Sequence, residues 1–258
     1  EIRQTNFATE AVQNYITFAP AYIERKLISG DWKSPDHPAV MKVLEEVHSN
    51  CNLRIEDYEK ARTEIRRLRR DFDGTRMQMG AFRHVNAMKG FLNFFNSPVV
   101  KILEDFIIPL LEPTNLETKI FAILRWVLNK NNSGQQDVGT SSNFNMILPG
   151  PHSLAQGKFI EGSKIKLIFD MAQGNVEGTP TFEDFQMAQQ EFDDARDIIF
   201  RQSKGQIDEN SSEYIDAEYT TTQSAVKFLV GQLVPLFTRV MFGKKLCVLV
   251  RNLLKYQD

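Results

Sequence analysis

Hydrophobic residues recur at alternating intervals of three and four along most of the chain, a pattern that predicts amphipathic helices. The clearest example runs from residue 53 to residue 72, and Gly74 just beyond it predicts where that helix ends. Its apolar stripe consists of Tyr58, Ala61, Ile65, Leu68 and Phe72. Similar stripes predict further helices at 7–17, 20–30, 38–50, 82–95, 99–111, 115–129, 181–199, 226–240 and 244–256.

Residues that start, bend or end helices support these assignments. Pro38 suits the first turn of a helix, where its missing N–H has no intrahelical partner to lose. Thr181 and Asp184 have the spacing of a capping box. Pro235 lies inside the 226–240 helix and predicts a kink, and Gly243 is predicted to separate that helix from the last one.

Two polar stretches interrupt the helical pattern. They cover residues 129–145 and 203–219, and both predict loops or linkers. The segment 164–172 alternates apolar and polar residues, so it fits either a short strand or a helix. The pattern leaves these two alternatives open.

The predicted helices group into two parts that we expect to pack as one domain. An N-terminal helical subdomain covers 1–130, a flexible linker covers 131–163, and a C-terminal helical subdomain covers 164–258. The fold class is therefore all-α, with roughly nine or ten helices. Short connections favour stacked antiparallel helices of the armadillo or HEAT kind, with an irregular helical bundle as the alternative. No repeat with a period of about 40 residues is visible.

The composition is that of a globular protein. The 258 residues are 42% hydrophobic and 25% charged, which allows a substantial core and argues against extensive disorder. The net charge of −2 counts against a dedicated nucleic-acid coat, because such proteins use a positive excess to neutralise phosphates. No apolar run is long enough to predict a transmembrane helix, and no signal peptide is visible.

Cysteine use and the first residue give expectations about the cellular setting. Cys51 and Cys247 are far apart in sequence and form no CxxC motif, which favours a reducing compartment over secretion. We therefore expect a cytoplasmic protein, with the nucleus as the alternative, and no membrane partner. Because the chain begins with Glu1 rather than Met, we expect a domain taken from a longer chain.

No motif in the sequence predicts catalysis, a cofactor or a metal ion. The nearest approach to a phosphate-binding loop, Gly157-Lys158, fails the pattern at two positions, and neither GxGxxG nor HExxH occurs. His48 and Cys51 are the closest approach to a pair of metal ligands, and a structural role is expected for them. The sequence therefore predicts a binding protein rather than an enzyme.

Arginines are concentrated in the 53–72 helix. Three of them, Arg62, Arg66 and Arg70, are spaced by four and form one row along the helix. Acids at ion-pair spacing lower the potential of other basic residues, and the expected pairs are Glu56–Lys60, Glu64–Arg67, Arg67–Asp71 and Arg69–Asp73. The row has no obvious partner within the helix, which predicts a contact with an anionic surface.

Neighbouring basic and aromatic residues extend this candidate surface. The predicted partner- or anion-binding residues are Arg62, Arg66, Arg70, Arg69, Arg76 and Arg83. Phe91, Phe94 and Phe95 point in several directions around one helix, so core packing is expected with an exposed anchor as the alternative.

Two functions fit these observations. The first is a protein–protein interaction module, a scaffold or regulatory domain whose arginine row contacts an acidic surface of another protein. The second is an RNA-binding helical domain or nucleoprotein that uses the same row. RNA binding predicts a strong dependence on salt and is favoured by exposed aromatic side chains on which bases can stack.

Overall fold

Helices are the only regular secondary structure among the described residues, so the predicted all-α fold class is confirmed. The computed structural model describes three stretches of the chain, residues 37–77, 85–133 and 160–254. The helices predicted at 7–17 and 20–30 lie outside these stretches, as does most of the predicted linker. None of the described helices combines the length and apolarity that a membrane span requires.

The described helical segments follow one another with short connections. In chain order they are α1 Pro38–His48, α2 Ile55–Met77, α3 Val85–Asn96, α4 Pro98–Ile102, the π-helical turn π1 Leu103–Ile107, α5 Ile108–Leu111, α6 Leu116–Ser133, α7 Lys164–Gln173, α8 Phe182–Ser203, α9 Ser212–Thr222, α10 Ser224–Phe228, the π-helical turn π2 Leu229–Leu233, a 3-10 turn Val234–Phe237 and α11 Phe242–Leu254.

The chain forms two compact units. Unit 1 comprises Glu1–Leu111 with Met241–Asp258, and unit 2 comprises Glu112–Val240. Consequently α6 packs with the helices that follow it in the chain, and α11 packs with the helices of the first half.

The core of unit 1 lies where α11 packs against α1, α2, α4 and π1. Each helix contributes one apolar face, as the spacing of its hydrophobic residues predicts. The fully buried side chains include Val40, Val43, Leu44, Val47, Tyr58, Val99, Val100, Ile102, Leu246, Val250 and Leu253.

Polar contacts also hold α11 in unit 1. The guanidinium group of Arg251 donates from Nε to the carbonyl of Val47 (2.6 Å) and from Nη2 to that of Ser49 (3.0 Å). These carbonyls lie at the end of α1, where backbone acceptors have no partner within the helix. The buried hydroxyl of Tyr58 donates to the carbonyl of Gly243 at 3.0 Å.

The start of α11 approaches the backbone between α1 and α2 closely. A Cβ atom at Gly243 would collide with the carbonyl oxygen of Leu53 and lie 2.9 Å from the Cα of Arg54. Glycine is therefore required there for steric reasons. One turn further on, Cys247 forms a disulfide with Cys51, with the two Cα atoms 5.4 Å apart.

Unit 2 is built in the same way. The long helix α8 packs against α7 and α9, and α6 packs against α7 and π2. Thr181 and Asp184 form the predicted capping box at the start of α8. The carboxylate of Asp184 accepts the N–H of Thr181 at 2.9 Å, and the hydroxyl of Thr181 accepts the N–H of Asp184 at 3.2 Å.

The helices recur in one order along the chain, as two structural repeats. Each helix of the second series starts 126 or 127 residues after its equivalent in the first. The paired first residues are Pro38 and Lys164, Ile55 and Phe182, Val85 and Ser212, Pro98 and Ser224, and Leu116 and Phe242. Buried positions in the first helix of each series also match, at an offset of 125 residues, one less than the offset of the helix starts. Val40, Val43, Leu44 and Val47 of α1 correspond to Ile165, Ile168, Phe169 and Ala172 of α7. The repeat is about three times longer than armadillo or HEAT repeats, so it produces no period near 40 residues.

In each repeat, a partly buried glutamate on the second helix accepts hydrogen bonds from the start of the first helix. Glu64 in the middle of α2 accepts the backbone N–H groups of Ala39 (3.3 Å) and Val40 (2.8 Å) at the start of α1. Glu191, 127 residues later on α8, accepts the first two N–H groups of α7 at 2.7 and 3.0 Å. Each glutamate thus satisfies N–H groups that have no acceptor inside their own helix.

Both repeats contain a π turn just ahead of a proline. Pro109 lies two residues after the end of π1, and Pro235 lies two residues after the end of π2. Because proline has no N–H, an α-helix loses one hydrogen bond there, and a locally wider turn accommodates the loss. The irregularity predicted at Pro235 therefore appears as π2 followed by a tight 3-10 turn.

Three predicted boundaries are wrong. α2 continues through Gly74 to Met77, and α11 contains Gly243 instead of beginning after it. The polar stretch 203–219 includes most of α9, whose only fully buried side chain among its residues is Ala217. A helix with so little apolar surface gives almost no periodic signal.

Two hydrophobic residues of the predicted 82–95 and 226–240 helices are exposed. Leu92 is 45% exposed, because α3 turns Phe94 inward, and Val240 is 72% exposed in the connection that precedes α11. The segment 164–172, which fitted either a strand or a helix, lies in α7.

Candidate interaction surface

The arginine-rich helix α2 has one packed side and one side that faces solvent. Tyr58, Ala61, Ile65 and Leu68 are buried, as the apolar stripe predicts. The predicted surface therefore depends on what each arginine on the remaining circumference contacts.

Two of the arginines pair with acids on their own helix. Arg62 forms an ion pair with Glu59, three residues earlier, so the expectation that Arg62 has no partner within the helix is wrong. The expected pair between Arg67 and Asp71 is confirmed at 4.0 Å. Arg62 is accordingly engaged inside unit 1 and does not present a free guanidinium group.

Arg69 contributes to the packing of unit 1. Its Nε and Nη2 atoms donate to the two carboxylate oxygens of Glu104 at 3.1 and 2.6 Å, and its guanidinium carbon lies 4.5 Å from the centre of the Phe95 ring. The acid that pairs with Arg69 is therefore Glu104 and not the predicted Asp73. A two-point pair that is also stacked on an aromatic ring has a fixed geometry, so Arg69 joins α2 to π1 and α3.

The phenylalanines of α3 pack against their neighbours. Phe94 is fully buried, and Phe91 and Phe95 each lie 5.8 Å from the ring of Phe72 in an edge-on arrangement. The expectation of core packing is thus confirmed for Phe94. Phe91 and Phe95 are half-buried in an aromatic cluster rather than displayed as separate exposed rings.

Arg66 and Arg70 are the members of the row that remain available. Both are exposed, and neither forms an ion pair or hydrogen bond with any residue in the described stretches. They are one helical turn apart on the same face. Arg76 lies in the last turn of α2, and Arg83 falls outside the described residues.

The equivalent face of unit 2 carries the opposite charge. Counting 127 residues onward, the offset that relates α2 to α8, Arg66 corresponds to Asp193 and Arg70 corresponds to Asp197. Asp193 is held by Gln189 at 3.0 Å, and Asp197 is exposed. The two repeats therefore share a fold but differ in the charge of this face.

Cys51, one of the two residues considered as metal ligands, has a structural role. Cys51 is bonded to Cys247, so its sulfur is not available to a metal ion. Burial, with the charge of Arg251, lowers the pKa of the neighbouring His48. No group of three or more His, Cys, Asp or Glu in the described stretches is arranged to hold a metal ion.

The disulfide also bears on the expected compartment. The two cysteines are far apart in sequence, and this spacing was the reason for expecting a reducing environment. The structure pairs them, so their spacing no longer supports that expectation. The cytoplasmic location stays a prediction.

Comparisons of the chain with protein-family models, with curated proteins and with solved structures gave no match.

Proposed function

We propose that the protein is a non-catalytic protein–protein interaction module, and that Arg66 and Arg70 on α2 contact an acidic surface of its partner. The observation that carries the proposal is the division among the arginines of α2. Arg62, Arg67 and Arg69 are engaged within unit 1, whereas Arg66 and Arg70 are exposed without a partner among the described residues.

Electrostatics and geometry favour an acidic protein as the partner. Two guanidinium groups one turn apart repel each other mildly, and a facing pair of carboxylates removes that repulsion while accepting two-point hydrogen bonds. The helix that carries Arg66 and Arg70 is held by α1, α3 and α5, so the backbone at these positions is fixed before binding and only the two side chains lose conformational entropy.

RNA binding is the second candidate, because phosphates would also neutralise Arg66 and Arg70. Two features count against it. The nearby rings of Phe72, Phe91 and Phe95 pack on one another, which leaves less aromatic surface for base stacking. The whole chain carries a net charge of −2, whereas affinity for nucleic acid grows with the number of phosphates neutralised.

One titration separates the two candidates. A fluorescein-labelled peptide of alternating Glu and Gly, and a labelled single-stranded RNA of similar charge, are each titrated with the protein and followed by anisotropy. We expect saturable binding of the peptide and much weaker binding of the RNA. The double variant Arg66→Glu with Arg70→Glu should weaken peptide binding by about tenfold or more, corresponding to loss of two charge-assisted contacts.

A second double variant controls for overall charge. Arg196→Glu with Arg201→Glu makes the same change in net charge on exposed positions of α8 and should bind the peptide like the wild type. Both double variants should melt within a few degrees of the wild type, since exposed substitutions cost about 0.5 kcal/mol or less. Equal losses in the two variants, or no peptide binding by the wild type, would contradict the proposal. Tight RNA binding lost only in the α2 variant would favour the RNA alternative.

A further inference from the structure

Two equivalent helices, α6 and α11, complete the two units. In unit 2, α6 packs against α7 and π2; in unit 1, α11 packs against the equivalent segments α1 and π1. We call this place in each unit the closing position. In the chain, α6 follows the last helix of the unit 1 series, and α11 follows the last helical turn of unit 2. Each closing position is therefore filled by a helix that follows the other unit in sequence.

Unit 1 depends on having its closing position filled. α11 brings five side chains that are at most 1% exposed, namely Leu246, Cys247, Leu249, Val250 and Leu253. It also brings the hydrogen bonds from Arg251 to the end of α1 and the disulfide to Cys51. Without α11, the apolar faces of α1, α2 and α4 would be open to water.

The connections that lead into the two closing helices have the same unusual backbone. Residues 238–241 precede α11 and residues 112–115 precede α6, and all eight are exposed. Met241 and Asn115, the last residue of each connection, both have φ of +52°. A left-handed conformation is unfavourable for most residues with a side chain, Met241 included, whereas asparagine tolerates it. A short, strained connection of this kind favours exchange of the segment that it carries.

We propose that α11 is exchanged between copies of this chain, so that α11 of one copy fills the closing position of unit 1 in the next copy. The partner is a second copy rather than another protein, because the closing position of unit 1 requires glycine at 243, a cysteine opposite Cys51 and an arginine that reaches the end of α1. Every contact of α11 with unit 1 is the same whether the helix comes from its own chain or from a neighbour. Only residues 238–241 change conformation.

Exchange by this route links copies head to tail. A helix donated by one copy leaves that copy's own unit 1 open for the helix of another, so the linkage continues until a ring closes. The Cys51–Cys247 disulfide allows exchange to be detected, because it links each unit 1 covalently to the α11 helix that it has bound.

Isotope mixing tests the proposal without any substitution. Equal amounts of ¹⁵N-labelled and unlabelled protein are unfolded with reductant, mixed, refolded at high protein concentration and oxidised. The product is digested, and the disulfide-linked peptide pair containing Cys51 and Cys247 is analysed by mass spectrometry. We expect pairs with one labelled and one unlabelled peptide, approaching about half of all pairs if exchange is complete.

Two controls define the outcomes. Labelled and unlabelled proteins that are refolded and oxidised separately before mixing should give no mixed pairs. Insertion of a flexible Gly-Ser segment after Val240 should reduce the mixed fraction, since a longer connection lets α11 reach its own unit 1 without strain. If the mixed refolding yields only matched pairs at every protein concentration, α11 is not exchanged. The substitutions at Arg66 and Arg70 should leave the mixed fraction unchanged, so this test and the binding test fail independently.

Discussion

An aspartate at the third position of α2 and another at the third position of α8 each bind a backbone N–H group and a lysine. Asp57 accepts the N–H of Arg54 (3.0 Å) and pairs with Lys42 (2.6 Å), and Asp184 accepts the N–H of Thr181 and pairs with Lys164 (2.8 Å). Burial raises the pKa of Asp57, but hydrogen bonds from Lys42 and Arg54 outweigh it and leave that pKa below its ordinary value. The hydrogen bond from Lys164 lowers the pKa of Asp184.

These lowered pKa values predict how stability changes in acid. A carboxyl group with a folded-state pKa below its unfolded value of about 3.9 stabilises the fold fully above that pH and loses the effect as pH falls through the folded-state pKa. Between pH 7 and about pH 5, the double variant Asp57→Asn with Asp184→Asn should therefore be less stable than the wild type by a constant amount. Below about pH 4 the melting temperatures of the variant and the wild type should converge.

Melting temperatures recorded by circular dichroism from neutral to acidic pH check this expectation. A control variant, Asp105→Asn with Asp197→Asn, removes two exposed carboxylates that form no hydrogen bond with described residues. It should follow the wild-type profile. A gap between the Asp57 and Asp184 variant and the wild type that persists undiminished at low pH would contradict the linkage.

Local spacing predicts local contacts of single residues and misses distant ones. The pair of Arg67 with Asp71 and the capping box of Thr181 involve residues within one helical turn, so the sequence alone predicts them. Arg69 instead pairs with Glu104, 35 residues away. The packing of the helices brings Glu104 beside α2, and an exposed pair with Asp73 would add little stability. No spacing rule contains that information.

At the scale of helices, α11 can pack this close to the α1–α2 connection only because Gly243 has no side chain. Substitution of alanine would push α11 away from the backbone of Leu53 and Arg54, with which a Cβ atom collides. Overpacking of this kind costs about 1–3 kcal/mol, and rigid backbone atoms place the expected loss toward the upper end. Gly243→Ala should therefore destabilise unit 1, as measured by urea denaturation.

Gly231→Ala is the matched control for that change. Gly231 lies in π2, and apart from its chain neighbours and the backbone of its own helix no atom lies within 4 Å of a Cβ built there. Alanine also has the higher helix propensity, so this variant should be neutral or more stable by up to about 1 kcal/mol. Equal destabilisation by the two substitutions would mean that the close approach of α11 does not control its seating.

The sequence predicts most helices but not their grouping into units. Apolar periodicity identifies α2, α6 and α11, since each shows a stripe that its fold buries. Whether α6 packs with the helices before it or after it depends on complementary surfaces that periodicity does not encode. The helix α9 is so weakly amphipathic that apolar periodicity does not reveal it. The repeat of 126 or 127 residues becomes visible only when the positions of the helices are compared.

At the scale of the whole molecule, the two repeats differ in how their closing helices are fixed. Cys247 on α11 is bonded to Cys51, whereas the equivalent residue of α6, 126 positions earlier, is Phe121. The disulfide spans 196 residues of sequence, and a cross-link of this kind commonly contributes about 2–4 kcal/mol by restricting the unfolded chain.

Reduction should therefore destabilise one unit selectively. We expect reductant to increase hydrogen exchange in α1, α2 and α11 while exchange in α7 and α8 stays nearly unchanged, as measured by mass spectrometry. The variant Cys51→Ser with Cys247→Ser should reproduce this effect without reductant and show no further response to it. Equal loosening of both units by reductant would contradict the prediction.

The paired π turns also suggest how this chain could have arisen. A π turn holds one more residue than the α-helical turn it replaces, which is what the insertion of a single codon would produce. Both turns lie at matching places, two residues before a proline in each series. One insertion in a single ancestral unit that was later duplicated would account for both. On that hypothesis the disulfide, which joins residues of unit 1 only, was gained after the duplication or lost from the other copy.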